Sequence, residues 1–171
     1  MAHVRSLRYQ EVRSPIGKIL LAVLDDHLVA LDFEDYTDRL HRLLERRLGP
    51  FTLASGRNPA GVSAALHDYF DGDLSALERV PTASHGSPFQ ERAWQALRTI
   101  RPGSIATYAE QAAKIGAPRA ARAVGHANAL NPIAIVVPCH RVIGKSLSLT
   151  GYAGGRDRKR WLLEHEGITL G

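Results

Sequence analysis

Apolar positions near the start of the chain fall into two runs. In GKILLAVLDDHLVALDF, residues 17–33, Ile19 to Leu24 continue without a polar interruption, break at Asp25-Asp26-His27 and resume at Leu28. Two such runs around a short polar break predict a β-hairpin. The period then changes. In YTDRLHRLLERRLG, Leu40, Leu43, Leu44 and Leu48 recur at helical spacing and Gly49 marks a stop. PAGVSAALHDYFDGD reads as a second helix, and LERVPTASHGS reads as a linker.

Beyond the linker the pattern is helical with strong punctuation. Ser87, Pro88 and Gln90 predict a capped helix start, and the helix carries Phe89, Ala93, Trp94 and Leu97 before stopping ahead of Pro102-Gly103. Thr107 and Glu110 predict a second capped start, with Gly116 as its end. A third helix is expected to begin at Pro118, in PRAARAVGHANAL. Two short helices around IGAP suggest a helix-turn-helix, a spacing shared with many helical hairpins. The third helix is mostly Ala and Gly, with Arg119, Arg122, His126 and Asn128 as its sizeable polar side chains. A core-facing amphipathic helix would carry Leu or Ile at helical spacing. Small residues instead permit close approach to another surface, whether DNA or a neighbouring helix.

The most apolar run of the second half, Ile133 to Val137, leads into Pro138, Cys139, His140 and Arg141. It reads as a buried strand that Pro138 terminates, leaving Cys139 at a rim. Cys139 is the only cysteine. A buried thiol is ordinarily a small hydrophobe. Here His140 and Arg141 follow it directly, and such neighbours supply thiolate. DRKRWLLEHEG reads as a last helix in which Leu162 and Glu166 share a face. A carboxylate on a buried face needs a partner, and His140 is a candidate. These residues point to a reactive thiol with a Cys–His–Glu relay.

Length and charge narrow the frame. A chain of 171 residues suits one large or two small domains. Residues 1–84 hold 10 Lys/Arg and 12 Asp/Glu, and residues 85–171 hold 12 and 5, so the net charges are −2 and +7. A basic second half suggests a polyanionic partner, although a solvated basic surface explains the charge equally well. No window approaches a membrane span, the N-terminus lacks the apolar core of a secretory signal, and a single cysteine fits a reducing compartment. The expected location is the cytoplasm, with no membrane association.

NPIAIVVPCHRVIG, followed by TGYAGG and WLLEHEG, closely resembles the O6-alkylguanine-DNA alkyltransferases, the methylated-DNA–protein-cysteine methyltransferases. The resemblance runs in register through residues 86–167. It implies an α+β fold: an N-terminal α/β domain over residues 1–84 with a small antiparallel sheet, and a C-terminal helical domain over 85–171 with a winged helix-turn-helix. It implies DNA repair by direct reversal, in which an alkyl group passes irreversibly and once from O6 of guanine to Cys139. O4-methylthymine stays open as a second substrate. His140 would take the thiol proton through a water and Glu166 would orient it. Asn131 would act as a hinge, and Tyr108 would press on a phosphate and donate to guanine N3. Val142, Tyr152 and the Ala153 amide would line the base pocket. The recognition helix, Pro118 to Asn128, would enter the minor groove of double-stranded DNA through Arg119, Ala120, Gly125 and Asn128. Arg122 would fill the space of the flipped base. The implied protein is a monomer without cofactor or metal, with cooperativity along DNA left open.

Three positions depart from the family pattern. Leu147 stands where glycine is common, Ala129 and Leu130 replace smaller residues before Asn131, and Ala153 replaces a frequent serine. Two other function classes remain on the sequence alone: a winged-helix DNA-binding protein without catalysis, and a cysteine hydrolase.

Overall fold

The runs flanking Asp25-Asp26 form the expected hairpin in the computed structural model, which describes residues 3–145, 149 and 151–170. Asp25 and Asp26 both take positive φ, 49° and 62°, the backbone of a tight hairpin turn. Leu147 lies outside the described residues.

The hairpin belongs to the first of two units, Met1–His85 and Gly86–Gly171. Its strands β1 (Arg5–Val12), β2 (Ile19–Leu24), β3 (His27–Phe33) and β4 (Phe51–Ser55) form a sheet in the order β3-β2-β1-β4. The sheet is antiparallel except at β4, which joins β1 in parallel, so it is mixed. Residues Ile19 to Val23 are all buried, which is why β2 reads as a continuous apolar run instead of an alternating one. Helix α1 (Thr37–Leu48) packs Leu40, Leu44 and Leu48 on Leu7, Leu20, Ala22, Val29 and Ala30. Gly49 ends it at φ 77°, a conformation glycine adopts without strain. Helix α2 (Val62–Phe70) follows. The expected linker is partly structured: Leu28 N–H donates to Pro81 O at 2.8 Å and Ala83 N–H to Leu28 O at 2.9 Å, tying residues 81–83 to β3.

The second unit is helical. Helices α3 (Pro88–Arg98) and α4 (Tyr108–Lys114) start at the expected capping boxes, with Ser87 and Thr107 accepting from the Gln90 and Glu110 amides. Strand β5 (Ala106–Thr107) leads directly into α4 and pairs in parallel with β6 (Val142–Ile143). Between them lie α5 (Ala121–Ala129) and the turn that carries Cys139, and α6 (Arg156–His165) closes the chain. Helix α5 starts three residues later than the sequence suggests, because Pro118 and Arg119 form a turn ahead of it. Trp94 on α3 is buried and donates its Nε1–H to Ala127 O at 2.9 Å, fixing α5 against α3. Among the described residues no helix is long and apolar enough to cross a membrane.

Gly86 is held against the Trp94 ring. A Cβ there would overlap Cζ3 and lie 2.9 Å from Cη2. A buried indole with a satisfied N–H cannot yield cheaply, so Gly86→Ala is expected to lower stability by about 1–3 kcal/mol. A urea melt followed by Trp fluorescence reads this, and an unchanged midpoint would contradict it.

Candidate active site

The apolar run ahead of Cys139 is not a strand. Residues 133–137 form consecutive tight turns, with Ile135 at φ 68° and Val136 N–H bonded back to Ala134 O at 2.8 Å. A second such turn over Pro138 brings Cys139 N–H to Val137 O at 2.8 Å. Hydrophobicity alone does not separate a buried strand from any other buried segment, and here Ile133 makes a single bridge while Ala134 to Val136 form turns. Side chains satisfy carbonyls that a ladder would otherwise engage: Asn131 Nδ2 donates to Val137 O at 2.8 Å and Arg98 to Val136 O at 3.2 Å. A β-branched residue at positive φ is strained, and burial of Ile133, Ile135, Val136 and Val137 holds it there.

This turn delivers Cys139, His140 and Arg141 as a short 3-10 segment, all buried. Asn131 lies just beyond the C-cap of α5 and accepts from the Ile133 amide at 3.0 Å. Its Nδ2 also reaches Cys139 Sγ at 3.3 Å, a donor that favours an ionised sulfur. One side chain thus links the end of α5 to the thiol.

The expected contact between His140 and Glu166 is present, at 2.8 Å from Nε2 to Oε2, with both side chains wholly buried. Arg141 completes it in a way the sequence did not suggest. Its guanidinium grips Glu166 with two hydrogen bonds of 2.8 and 2.9 Å and donates to Ile100 O at 2.6 Å. Arg141 is therefore aimed at the carboxylate, where adjacency in sequence had pointed to the thiol.

Burial opposes ionisation of Glu166, but the attraction and hydrogen bonds of His140 and Arg141 outweigh it and hold its pKa well below the carboxylate range. Burial lowers the pKa of His140; Glu166 works against that shift, while Arg141 and Lys159 reinforce it. The resting pair is thus an ionised carboxylate and a neutral imidazole. An ionised carboxylate only accepts, so Nε2 carries the proton and Nδ1 carries the lone pair. Nδ1 is buried and has no hydrogen-bond partner among the described residues. An acceptor nitrogen held this way is a base in waiting.

A small cavity at the thiol is lined by Tyr108, Gly125, Asn128, Ala129, Cys139 and Gly151 to Ala153. Its volume, about 20 Å³, matches one water and not a purine. Tyr152 is buried, with its ring edge-on to His140 at 6.5 Å between centroids. Strands β5 and β6 pair Ala106 with Val142 and Thr107 with Ile143, so the strand that leads into Tyr108 lies beside the one that follows the Cys139 turn. Val142 O already accepts from Lys159 Nζ at 2.6 Å, which leaves one lone pair for a ligand.

Of the residues expected on the DNA face, Arg119 and Arg122 are exposed, while Ala120 and Gly125 are partly buried. A Cβ on Gly125 would sit 3.6 Å from the Tyr108 ring, so the helix backbone runs close to that tyrosine. Asn128 is different. It is buried, and its amide exchanges hydrogen bonds with Gln111 at 2.8 and 3.0 Å, which locks α4 to α5. Gln111 and Lys159 were missed in the sequence, and Arg141 was assigned to the wrong partner. The signal for Lys159 was available: Lys159, Leu162, Leu163 and Glu166 follow helical spacing, which puts a lysine on the apolar face.

Both units are similar to known proteins. A family model for the DNA binding domain of 6-O-methylguanine DNA methyltransferase matches residues 88–168, and a model for its ribonuclease-like domain matches residues 7–84. The methylated-DNA–protein-cysteine methyltransferase of Salmonella typhimurium is 48% identical over 165 residues, covering 94% of this chain and 96% of that protein. The protein of that name from Mycobacterium tuberculosis is 45% identical over 163 residues, covering 94% of this chain and 92% of its own. A crystal structure of Mycobacterium tuberculosis OGT in complex with DNA has a TM-score of 0.77 at 44% identity, covering 93% of this chain and 92% of that one.

Proposed function

The chain belongs to the 6-O-methylguanine DNA methyltransferase family, and on that premise we propose that Cys139 is the acceptor for the alkyl group it removes from DNA. The activity is that of a methylated-DNA–protein-cysteine methyltransferase, a repair protein whose partner is DNA. The observation that carries the assignment is the neutral His140 held by an ionised Glu166, next in sequence to the chain's one thiol.

The steps join the contacts around Cys139 to the roles that the family resemblance implies. His140 takes the Cys139 proton at Nδ1 through a bridging water, and Glu166 offsets the charge the imidazole gains. The thiolate attacks the methyl carbon in line with O6. The S–C bond forms as the C–O6 bond breaks, and the electron pair leaves with guanine. Tyr108 donates to guanine N3, which offsets the charge on the leaving base. The thioether that results is not displaced again, so one chain repairs one lesion. Asn131 holds the thiol at the end of α5, and Val142, Tyr152 and the Ala153 amide receive the base. A purine needs more room than this small cavity offers, so the pocket widens to admit the base.

The base reaches that pocket by flipping out of the duplex, with α5 in the minor groove and Arg119, Ala120 and Gly125 at the contact. Asn128 keeps the two helices in register behind that face. On this reading residues 85–171 carry recognition and transfer, residues 1–84 are structural, and the protein acts as a monomer in the cytoplasm. The direct test is mass spectrometry after incubation with a duplex containing O6-methylguanine. One methyl on the peptide bearing Cys139, saturating at one per chain, is the expected result. An unmodified protein that still binds the duplex would make it a binding module.

Arg122 separates from the other cations by its salt response. Each phosphate contact adds about 0.9 to the salt-dependence slope on duplex DNA. If Arg122 fills the stack, Arg122→Ala leaves that slope nearly unchanged and slows repair of a duplex more than of a single strand. Loss of a full phosphate increment, with both rates falling together, would make Arg122 a backbone contact.

A further inference from the structure

Gln111 on α4 and Asn128 on α5 are buried polar side chains, with 2% and 6% of their surface exposed. The other buried residues of the two helices are Ala112, Val124 and Ala127. Gln111 Nε2 donates to Asn128 Oδ1 and to Ala93 O of α3, each at 3.0 Å, and Asn128 Nδ2 donates back to Gln111 Oε1 at 2.8 Å. Ala93 O only accepts, which fixes the end of the Gln111 amide that faces it. One amide pair thus joins three helices. Small apolar residues would let two helices slide past one another, whereas reciprocal amides match in one register. Each amide also has a neighbour one turn back that borders the cavity at Cys139. Tyr108 precedes Gln111 by three residues on α4, and Gly125 precedes Asn128 by three on α5, so each pair shares a helix face. A Cβ on Gly125 would lie 3.6 Å from Tyr108 Cδ1 and 3.7 Å from Cε1. The helices therefore meet at two rungs, the Tyr108 ring on the Gly125 backbone and Gln111 on Asn128. Tyr108 opens α4 and is half-buried, so its place depends on how α4 lies on α5.

Resting on the reading of that cavity as the place where the base meets Cys139, we propose that Gln111 is a positioning residue: its reciprocal contact with Asn128 sets the register of α4 on α5 and so places the Tyr108 ring against the path of the base. Gln111 bonds to neither the thiol nor its relay. Cys139 is held by Asn131, and His140 by Glu166 from the end of α6. Slippage of α4 by a fraction of a turn would carry Tyr108 along α5 and away from Gly125 while the nucleophile kept its partners. Transfer would slow because the base is misplaced, with the sulfur as reactive as before. A misplacement of about 1 Å can cost about 10²-fold in rate. Removing one amide of the pair leaves the other buried without its partner, which lowers stability. Replacing both by apolar groups of similar shape is close to neutral. That asymmetry separates positioning from support of the fold.

Gln111→Met/Asn128→Leu removes both amides and keeps their bulk. This double variant is expected to melt near the wild-type temperature and to lose the nuclear Overhauser contact between the Tyr108 ring and the Gly125 α-protons. Its single-turnover rate on a saturating O6-methylguanine duplex is expected to fall by about tenfold or more. Carboxamidomethylation by iodoacetamide, followed at several pH values, should keep its wild-type profile. Cys139 is the only cysteine, so that signal has one source. A folded double variant with the wild-type Tyr108–Gly125 contact and transfer rate would overturn the proposal. An alkylation rate that falls in step with transfer would overturn it too, because the effect would then lie at the thiol. Should the double variant not fold, the wild-type protein decides. The side-chain amide protons of Gln111 and Asn128 should stay protected from exchange when the protein binds the damaged duplex. Faster exchange in the complex would mean that the pair opens as the base enters, and the register role would be lost. The Overhauser contact needs no DNA: its loss in the double variant of a protein that transfers no methyl would sustain the register role and sink the transfer reading.

Discussion

Cys139→Ser is expected to transfer no methyl group while still binding a duplex that contains O6-methylguanine. The side chain is buried in a turn fixed by Asn131, Val137 and Pro138, and the oxygen of serine fits the space of the sulfur. What changes is the nucleophile. An alcohol stays protonated at neutral pH and is a poor nucleophile toward a methyl carbon, and a relay built on one histidine does not overcome that difference. Transfer is measured as loss of label from O6-methylguanine, and binding by fluorescence anisotropy on the same duplex. Residual transfer in Cys139→Ser would mean that another residue accepts the group, and Cys139 would lose its role.

Glu166→Gln should cost nearly as much by a different route. The carboxylate does two things at once: it accepts the Nε2 proton of His140, and it neutralises the buried guanidinium of Arg141. An amide leaves the shape and removes the charge, so His140 no longer gains a partner when it becomes an imidazolium. Loss of that support is expected to slow transfer by about 10²–10⁴-fold, the scale of a lost acid–base function. Binding of damaged DNA should change far less. Equal losses in both would mark the carboxylate as structural.

The same variant has a stability signature. A buried guanidinium without its counter-ion costs about 3–5 kcal/mol. In the wild type the pKa of Glu166 is lowered on folding, so its contribution is present above the ordinary carboxyl value of 4.5 and is lost as the pH falls below it. Glu166→Gln should therefore be less stable at neutral pH and show a flatter acid limb, which chemical denaturation at several pH values would reveal.

Local signals were reliable where local energetics decides. The two capping boxes, the helical leucines of α1, the Gly49 stop and the Asp25-Asp26 turn all depend on residues within a few positions of one another. Each appears as the spacing suggests. Strands β1 and β4 were not legible. β1 reads RSLRYQEV and becomes a strand only because β2 and β4 are there to pair with it. The run before Cys139 failed in the other sense. Five apolar residues describe burial and say nothing of backbone direction, and a positive φ at Ile135 is fixed by hydrogen bonds from Asn131 and Arg98 that come from elsewhere.

The same division runs through the site. The motif around Cys139 determined the family and made the thiol and its histidine legible as candidates, because those residues are adjacent and their chemistry belongs to the side chains themselves. The partner of His140 was reachable too, since Leu162 and Glu166 lie one helical turn apart and a buried carboxylate requires a counterpart. Tertiary structure alone decided which cation serves which anion. Arg141 turns from the thiol to Glu166, Lys159 enters from α6 to reach Val142, and Asn128 binds Gln111 in place of the DNA face. Charges in a buried cluster choose partners by distance and desolvation, and both are set by how helices pack, which residue type and spacing along the chain do not encode.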